Sequence, residues 1–217
     1  MCIHGIGGVF FMAELELQSL RCGYQVPLCN LSLHLQTGEH VLFYGPNGVG
    51  KSTLLKTLAG LLPPLGGAVT FDGESLHRRR MLRQRVFYLP ETIQVPDFLT
   101  PLEYVGLVAE FYREKTDPMR LQEGIRLLDI GGYQERPLGQ CSQGQQRRSQ
   151  LLAAYVLQKP LILCDDPLIG IDRNRDSILR DFIRLLAKES IVVLTGREPI
   201  DGVRCRPLHE ETGQVSE

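Results

Sequence analysis

The sequence lacks most of the features that would direct it to a membrane span, a disulfide scaffold or a zinc site. No apolar run approaches the length of a membrane-spanning helix. The six cysteines are scattered and form no C-x-x-C pair, which argues against zinc and disulfide frameworks and favours reduced thiols in the cytosol. The formal net charge is −1, so no overall field draws the chain to nucleic acid or to an anionic membrane.

The chain also lacks internal repeats and low-complexity segments. Its 217 residues suffice for one large α/β domain or for a core with a small subdomain. Residues 1–12 lack the basic region of a signal peptide, and we expect them to form a loose N-terminal extension that ends at Met12. We expect a single domain over 13–200 and a polar C-terminal tail over 201–217.

One stretch, Gly45–Thr53, fits the pattern G-x-x-x-x-G-K-[ST] and is called the phosphate loop below. An apolar strand-like segment precedes it and a helical one follows, which is the context the pattern requires. Its glycines let backbone N–H groups converge on phosphate oxygens, and the helix N-terminus adds positive charge. Lys51 is expected to reach the β- and γ-phosphates, and Ser52 to ligate Mg²⁺. The predicted nucleotide-binding residues here are Gly45, Pro46, Asn47, Gly48, Val49, Gly50, Lys51, Ser52 and Thr53.

Leucines alternate with polar residues around 15–20 and over 31–35, which predicts two half-buried strands of an antiparallel sheet. Tyr24 lies between these strands, upstream of the phosphate loop. Residue type and position leave two roles open for it, packing in a turn and contact with a ligand.

Acidic residues follow later strands. The apolar run Leu161–Cys164 predicts a buried strand that ends at Asp165 and Asp166. A carboxylate at the end of a buried strand, in a chain with a phosphate loop, is typical of a Mg²⁺ ligand. The alternative is a pair of acids that only terminates the strand. A shorter apolar run, Val86–Leu89, stops just before Glu91.

Between these strands the sequence predicts helices. Thr100 and Glu103 form one capping box, and Ser142 and Gln145 form another. The second helix therefore begins at Ser142, with its first-turn N–H groups and Gly144 open to an anion. A basic cluster over 77–85 permits contact with nucleic acid or lipid head groups, but a solvated helix face explains it more simply.

Taken in order, these motifs resemble the ATP-binding subunit of ABC transporters over roughly Leu15–Pro199. The family signature L-S-G-G-Q stands here as Cys141-Ser-Gln-Gly-Gln145, which keeps the serine and the second glycine. The run Gly144–Arg148 and the short C-terminus are also similar to the compact haem-exporter ATPases of cytochrome c maturation. The signature residues implied to bind ATP are Ser142, Gln143, Gly144 and Gln145.

The resemblance implies an α/β fold with a P-loop core, an antiparallel β edge and a helical subdomain inserted at about 97–150. It implies ATP and Mg²⁺ as cofactors, with the metal held by Ser52, Asp165 and Glu91, and Tyr24 stacked on adenine. It further implies a head-to-tail dimer with an identical or homologous ATPase subunit, in which Asp172 belongs to a loop that crosses to the partner.

The same resemblance implies that the helical stretch meets transmembrane permease subunits. We therefore expect a cytoplasmic protein bound peripherally to the inner face of the cell membrane, with no nucleic-acid partner. The function implied is ATP binding and hydrolysis that power or gate transport.

Beyond the signature, three positions depart from the family pattern, and these three concern hydrolysis. The family has glutamate where Asp166 stands, glutamine where Glu91 stands and histidine where Gly196 stands. We keep Asp166 and Glu91 as the catalytic candidates and expect slow turnover. Two alternatives are a degenerate regulatory subunit that binds but hardly hydrolyses ATP, and a soluble ABC protein that acts on nucleic acid or the ribosome. The latter usually carries tandem ATPase domains or a long coiled-coil insertion, and this chain has neither.

Overall fold

The computed structural model describes residues 3–5, 8–10, 12–92, 96–167 and 176–208. The strands are β1 (Ile3–Gly5), β2 (Gly8–Phe10), β3 (Glu14–Gly23), β4 (Pro27–Gln36), β5 (His40–Tyr44), β6 (Gly66–Phe71), β7 (Glu74–Ser75), β8 (Val86–Leu89), β9 (Leu161–Cys164), β10 (Ile191–Gly196) and β11 (Cys205–Pro207). The helices are α1 (Lys51–Leu58), α2 (Pro101–Tyr112), α3 (Pro118–Leu127), α4 (Gln143–Leu157) and α5 (Asp176–Ala187).

The predicted antiparallel sheet is confirmed and has the strand order β4-β3-β6-β7. Leu15 faces Leu35 and Leu17 faces Leu33 across β3 and β4, and all four side chains are buried. Their neighbours along β4 are exposed, because successive residues of a strand face opposite sides of the sheet.

A second sheet is parallel, with the order β11-β5-β10-β9-β8. Its two faces belong to two hydrophobic clusters. Val41 and Phe43 of β5 pack in one cluster with α1 and the antiparallel sheet, and Leu42 packs in the other with α2, α4 and α5. Burial on both faces explains why these strands are continuous apolar runs instead of alternating ones.

Parallel pairing places the carboxyl ends of the central strands along one edge of this sheet. The phosphate loop follows β5, Glu91 follows β8, and Asp165 follows β9. Ligands of open parallel sheets bind outside this edge. The fold therefore brings together segments that are far apart in the chain.

Helices α2, α3 and α4 lie between β8 and β9 in the chain, and α4 packs against both of the others. Both capping boxes that the sequence predicted are present, at Thr100 with Glu103 and at Ser142 with Gln145. Among the described residues, every helix is too short or too polar to traverse a membrane.

The structure differs from the sequence analysis in the segment after residue 200. Of the expected polar tail, residues 201–208 are described, and β11 pairs in parallel with β5 at the edge of the core sheet. Leu208 is buried there, and its N–H group donates to Tyr44 O at 2.8 Å. The segment looked like a tail because an edge strand with one neighbour can keep polar residues and a proline. At the other end, β1 and β2 pair only with each other in the described chain.

Candidate nucleotide site

The phosphate loop wraps around the start of α1. Gly48 and Gly50 have φ angles of 88° and 103°, a region that L-residues with side chains rarely adopt. Gly50 is also the residue that immediately precedes α1. A Cβ atom at Gly50 would lie 2.8 Å from Leu28 Cβ, so both conformation and space require glycine at this position.

Lys51 is held against the loop that precedes it. Its Nζ atom donates to the carbonyl oxygens of Gly45 and Pro46, each at 2.8 Å. An ammonium group has three donors, so these bonds orient the lysine and leave a donor for a phosphate oxygen. The predicted lysine is therefore fixed at the mouth of the loop.

A cavity of about 410 Å³ opens in front of the loop. Both the phosphate loop and the three predicted acids, Glu91 after β8 and Asp165 and Asp166 after β9, line this cavity. The cavity is lined by Asn47, Gly48, Gly50, Lys51, Ser52, Thr53, Glu91, Asp165 and Asp166.

Of the other predicted loop residues, Gly45 and Val49 are buried and Pro46 is exposed. Val49 is buried in the core. The Gly45 N–H group donates to Gly196 O at 3.2 Å, which ties the start of the loop to the end of β10. Gly196 therefore lies beside the loop, where the family pattern has its histidine.

Asp165 is 3% exposed and has a fixed orientation. The Thr195 hydroxyl donates to its Oδ1 atom at 2.5 Å, and Thr195 is itself fully buried. The second oxygen of the carboxylate is left for other ligands. Thr195 was not predicted as a site residue, because a threonine that ends an apolar strand gives no chemical signal in the sequence.

Asp166 adopts φ 43° and is less enclosed, with a side chain that is 16% exposed. Its N–H group donates to Thr195 Oγ1 at 3.2 Å, and Arg197 Nε lies 3.9 Å from its Oδ2 atom. Burial and the nearby charge of Glu91 raise the pKa of Asp166, whereas the cations of Arg197 and Arg147 act in the opposite direction. A raised pKa suits a group that must accept a proton.

Arg147 of α4 is a further residue that the sequence analysis missed. It is 2% exposed, and its guanidinium donates to the carbonyl oxygens of Pro90, Asp165 and Asp166. Burial lowers the pKa of Arg147, and the neighbouring acids oppose that change. An arginine within a helix ordinarily indicates an exposed face, so only its long-range contacts reveal this one.

The remaining predicted residues lie outside the cavity. Tyr24, between β3 and β4, is 63% exposed. Ser142 and Gln143 are exposed at the start of α4, Gln145 is half-buried, and Gly144 is buried. Within one chain, neither Tyr24 nor this signature segment lines the cavity formed by the described residues.

The capping box of α4 has a defined geometry. Gln145 N donates to Ser142 Oγ at 3.2 Å, and Ser142 N donates to Gln145 Oε1 at 2.9 Å. The loop residue Asp172, assigned to the partner contact, lies outside the described residues.

The cavity acids and Ser52 fit Mg²⁺ by their donor chemistry. Mg²⁺ prefers hard oxygen ligands and is usually held by one or two carboxylates together with substrate phosphates. Asp165, Glu91 and the Ser52 hydroxyl supply such oxygens in one cavity. No cluster of three His, Cys, Asp or Glu side chains suited to a metal occurs in the described part of the chain.

Comparison with known proteins extends these observations. The Photorhabdus laumondii protein named Fe(3+) ions import ATP-binding protein FbpC is 30% identical over 178 residues, which are 81% of this chain and 51% of that protein. The Escherichia coli K12 protein named Cytochrome c biogenesis ATP-binding export protein CcmA is 31% identical over 194 residues, 88% of this chain and 92% of that protein. The chain thus spans about half the length of the iron-import relatives that it matches.

Solved structures give the same result for the fold. A Pyrococcus furiosus structure described as an ABC transporter ATP-binding protein superposes with a TM-score of 0.84 at 29% identity, and the match covers 91% of this chain and 99% of that one. The family model described as ABC transporter matches residues 28–169. The chain therefore belongs to the ABC transporter family, as one of its ATP-binding subunits.

Proposed function

We propose that the chain binds Mg-ATP in the phosphate-loop cavity and hydrolyses it slowly to power or gate a membrane transporter. The observation that carries the proposal is that one cavity is lined by the phosphate loop together with Glu91, Asp165 and Asp166. ATP-binding domains of this family are generally ATPases that use Mg²⁺ and work with transmembrane permease subunits. Each residue that lines the cavity has a proposed role in binding or hydrolysing ATP.

The loop N–H groups and Lys51 bind and orient the phosphates. Ser52 and Asp165 would hold Mg²⁺, and the bound ion would supply positive charge next to the phosphates. Asp166 accepts a proton from the attacking water, since its raised pKa brings it closer to the working pH. Arg197, whose Nε atom lies 3.9 Å from Asp166 Oδ2, replaces the missing histidine only in part, as a cation near the γ-phosphate.

The signature segment completes the site of a second subunit. Ser142 and Gln143 are exposed at the N-terminus of a 15-residue helix and lie away from their own chain's cavity. Helix N-termini bind anions through free N–H groups and the helix dipole. We infer a head-to-tail dimer in which these residues reach the phosphates bound by the partner, with Tyr24 stacked on adenine.

ATP should therefore drive dimerisation when hydrolysis is blocked. We expect the Asp166→Asn variant to be monomeric or weakly dimeric alone and dimeric with Mg-ATP, as measured by light scattering. ADP, which lacks the γ-phosphate, serves as the ligand control. A monomer at every ATP concentration, even with the membrane partner supplied, would contradict the inferred dimer.

Position 142 offers a matched pair of variants for this experiment. Asparagine and aspartate are both good helix caps, so Ser142→Asn and Ser142→Asp each preserve the start of α4. In the Asp166→Asn background, only Ser142→Asp adds a negative charge opposite the γ-phosphate. It should abolish ATP-driven dimerisation, and Ser142→Asn should retain most of it. Equal dimerisation of the two variants would show that Ser142 does not lie next to the γ-phosphate bound by the partner subunit.

The helical layer between β8 and β9 provides a surface for permease subunits. Phe98 and Phe111 are each 77% exposed, and Met119 is exposed as well. These are the three most exposed large apolar side chains among the described residues, and concentrations of exposed apolar surface mark partner-binding sites. We propose peripheral attachment to the cytoplasmic face of the membrane through this layer, in a compact transporter subunit like the cytochrome c biogenesis relative.

The three departures from the family pattern predict slow turnover that can be improved. Asp166→Glu lengthens the carboxylate. It also loses the local hydrogen bonding by which a short aspartate tolerates the left-handed backbone at φ 43°, a conformation that costs most residues about 1–2 kcal/mol. Position 196 accepts a Cβ atom, which would lie 3.4 Å from Leu42 Cδ1 and 3.6 Å from Glu198 O, both ordinary contacts, and Gly196→His places an imidazole beside the loop. Groups that act as one unit are strongly non-additive, so we expect the double variant to exceed the wild type in phosphate release at saturating ATP.

Gly196→Ala is the control in this series, because it adds a Cβ atom at position 196 without an imidazole. A wild-type turnover already within about 1–10³ s⁻¹, the range of ordinary enzymes, would contradict the idea of a weakened site. Asp166 and Arg197 would then suffice as they stand.

The degenerate regulatory subunit remains the second candidate, because Glu91 and Asp166 both alter the hydrolytic centre. Steady-state phosphate release separates it from an active ATPase. A nucleic-acid function finds less support. Within the predicted basic cluster, Arg79 pairs with Glu74 at 3.0 Å and Arg85 with Asp72 at 2.7 Å, which offsets part of its charge.

A further inference from the structure

Helix α4 runs from the exposed signature segment to the buried side of the cavity acids. Its first turn, at Ser142, faces solvent, and Arg147 in the following turn is buried behind the cavity acids. Ser142 and Arg147 belong to one continuous helix, and a capping box fixes its start. Any displacement of α4 therefore carries the Arg147 guanidinium with it.

The Arg147 guanidinium joins three segments of the chain. Its Nη1 atom donates to Pro90 O at 2.8 Å, directly before Glu91, and to Gln150 Oε1 on α4 at 3.0 Å. Its Nη2 atom donates to the carbonyl oxygens of Asp165 and Asp166, the latter at 3.1 Å. One side chain thus links α4 to both turns that carry the cavity acids.

All three acceptors outside α4 are backbone carbonyls. The contacts therefore leave the carboxylates of Glu91, Asp165 and Asp166 available to line the cavity. They also constrain where those carboxylates lie, because the position of a peptide group sets the direction of its side chain. A planar guanidinium with several fixed donors can hold two turns at once, and an ammonium group cannot reproduce that geometry.

We propose that Arg147 is a positioning residue for ATP hydrolysis, which holds the Pro90–Glu91 turn and the Asp165–Asp166 turn in register with α4. This inference rests on the proposed function, since it concerns the same acids. It assigns no contact between Arg147 and the nucleotide. Its consequence is that loss of the guanidinium impairs hydrolysis and spares ATP binding at the phosphate loop.

Arg148 supplies the matched control. It occupies the next position of α4, but its guanidinium donates to Leu128 O at 3.3 Å and pairs with Asp129. Its Cζ atom lies 5.5 Å from the centroid of the Tyr133 ring. These contacts face α3 and the segment after it, away from the cavity, so Arg148→Gln tests the general cost of removing an arginine from this helix.

The experiment compares Arg147→Gln, Arg147→Lys and Arg148→Gln by two measurements on the folded full chain. Misplacing reacting groups by about 1 Å can cost on the order of 10²-fold in rate. We expect Arg147→Gln to lower kcat by about that factor, with ATP affinity changed less than about threefold. Arg147→Lys keeps the positive charge but loses the planar guanidinium, so its kcat should lie between those of wild type and Arg147→Gln. Arg148→Gln should retain near wild-type kcat.

Amide hydrogen exchange provides the second measurement and does not depend on turnover. Peptides over 86–92 and 161–167 should exchange faster in Arg147→Gln than in wild type or Arg148→Gln. Unchanged kcat and exchange in Arg147→Gln, or equal losses in both glutamine variants, would overturn the inference. An inactive wild type would refute the proposed hydrolysis, and the exchange comparison would still decide whether Arg147 holds the two turns.

Discussion

Replacing Lys51 with alanine is expected to weaken ATP binding by about 10²- to 10⁴-fold while the fold persists. Each hydrogen bond from an ammonium group to a phosphate contributes about 1.5–3 kcal/mol, and a lysine that reaches the β- and γ-phosphates makes two such bonds. The variant also loses the bonds to Gly45 O and Pro46 O that orient the side chain. Titration calorimetry measures the change.

Lys56→Ala is the control for this loss of charge. Lys56 lies on the same helix and does not line the cavity, so its removal should leave ATP affinity close to that of wild type. Circular dichroism melts of both variants verify the fold. An affinity unchanged in Lys51→Ala would show that the phosphate loop is not the nucleotide site.

Asp166→Asn should lower hydrolysis by about 10²- to 10⁴-fold, the usual contribution of a positioned general base, and preserve ATP binding. An amide cannot accept the proton of the attacking water. Asparagine is also one of the few residues that tolerate a left-handed backbone, so the φ of 43° at this position is retained. Single-turnover phosphate release and calorimetry give the two quantities separately.

Asp201→Asn, at an exposed position after β10, controls for the change in net charge. Loss of ATP binding together with hydrolysis would identify Asp166 as a metal ligand instead of a base. Unchanged hydrolysis would transfer the role of base to Glu91, the other acid candidate in the cavity.

Local patterns were enough to predict much of the fold. The alternation of Leu31, Leu33 and Leu35 depends only on the period of a strand, and the capping boxes at Thr100 and Ser142 depend on residues three positions apart. Each of these patterns involves residues that are only a few positions apart in the sequence. The resemblance to a known family then predicted how these elements are arranged, as a P-loop core with an antiparallel β edge and an inserted helical subdomain.

Residues whose role depends on distant contacts could not be found in this way. Arg147 contacts carbonyl oxygens that any residue type would provide, and Thr195 orients Asp165 from another strand. Neither position has a side-chain pattern that distinguishes it before the strands are placed. The edge strand β11 was missed for a related reason, because only its pairing with β5 makes it a strand.

The location of β5 has a consequence for how the protein is made. Both of its neighbours, β10 and β11, come from the C-terminal part of the chain, although β5 leads directly into the phosphate loop. Pairings between distant segments form slowly, and during synthesis they must wait for the later segment to emerge from the ribosome. The loop can reach its final support only after β10 and β11 have been synthesised, so a nascent chain cannot complete its nucleotide pocket before both strands have emerged from the ribosome.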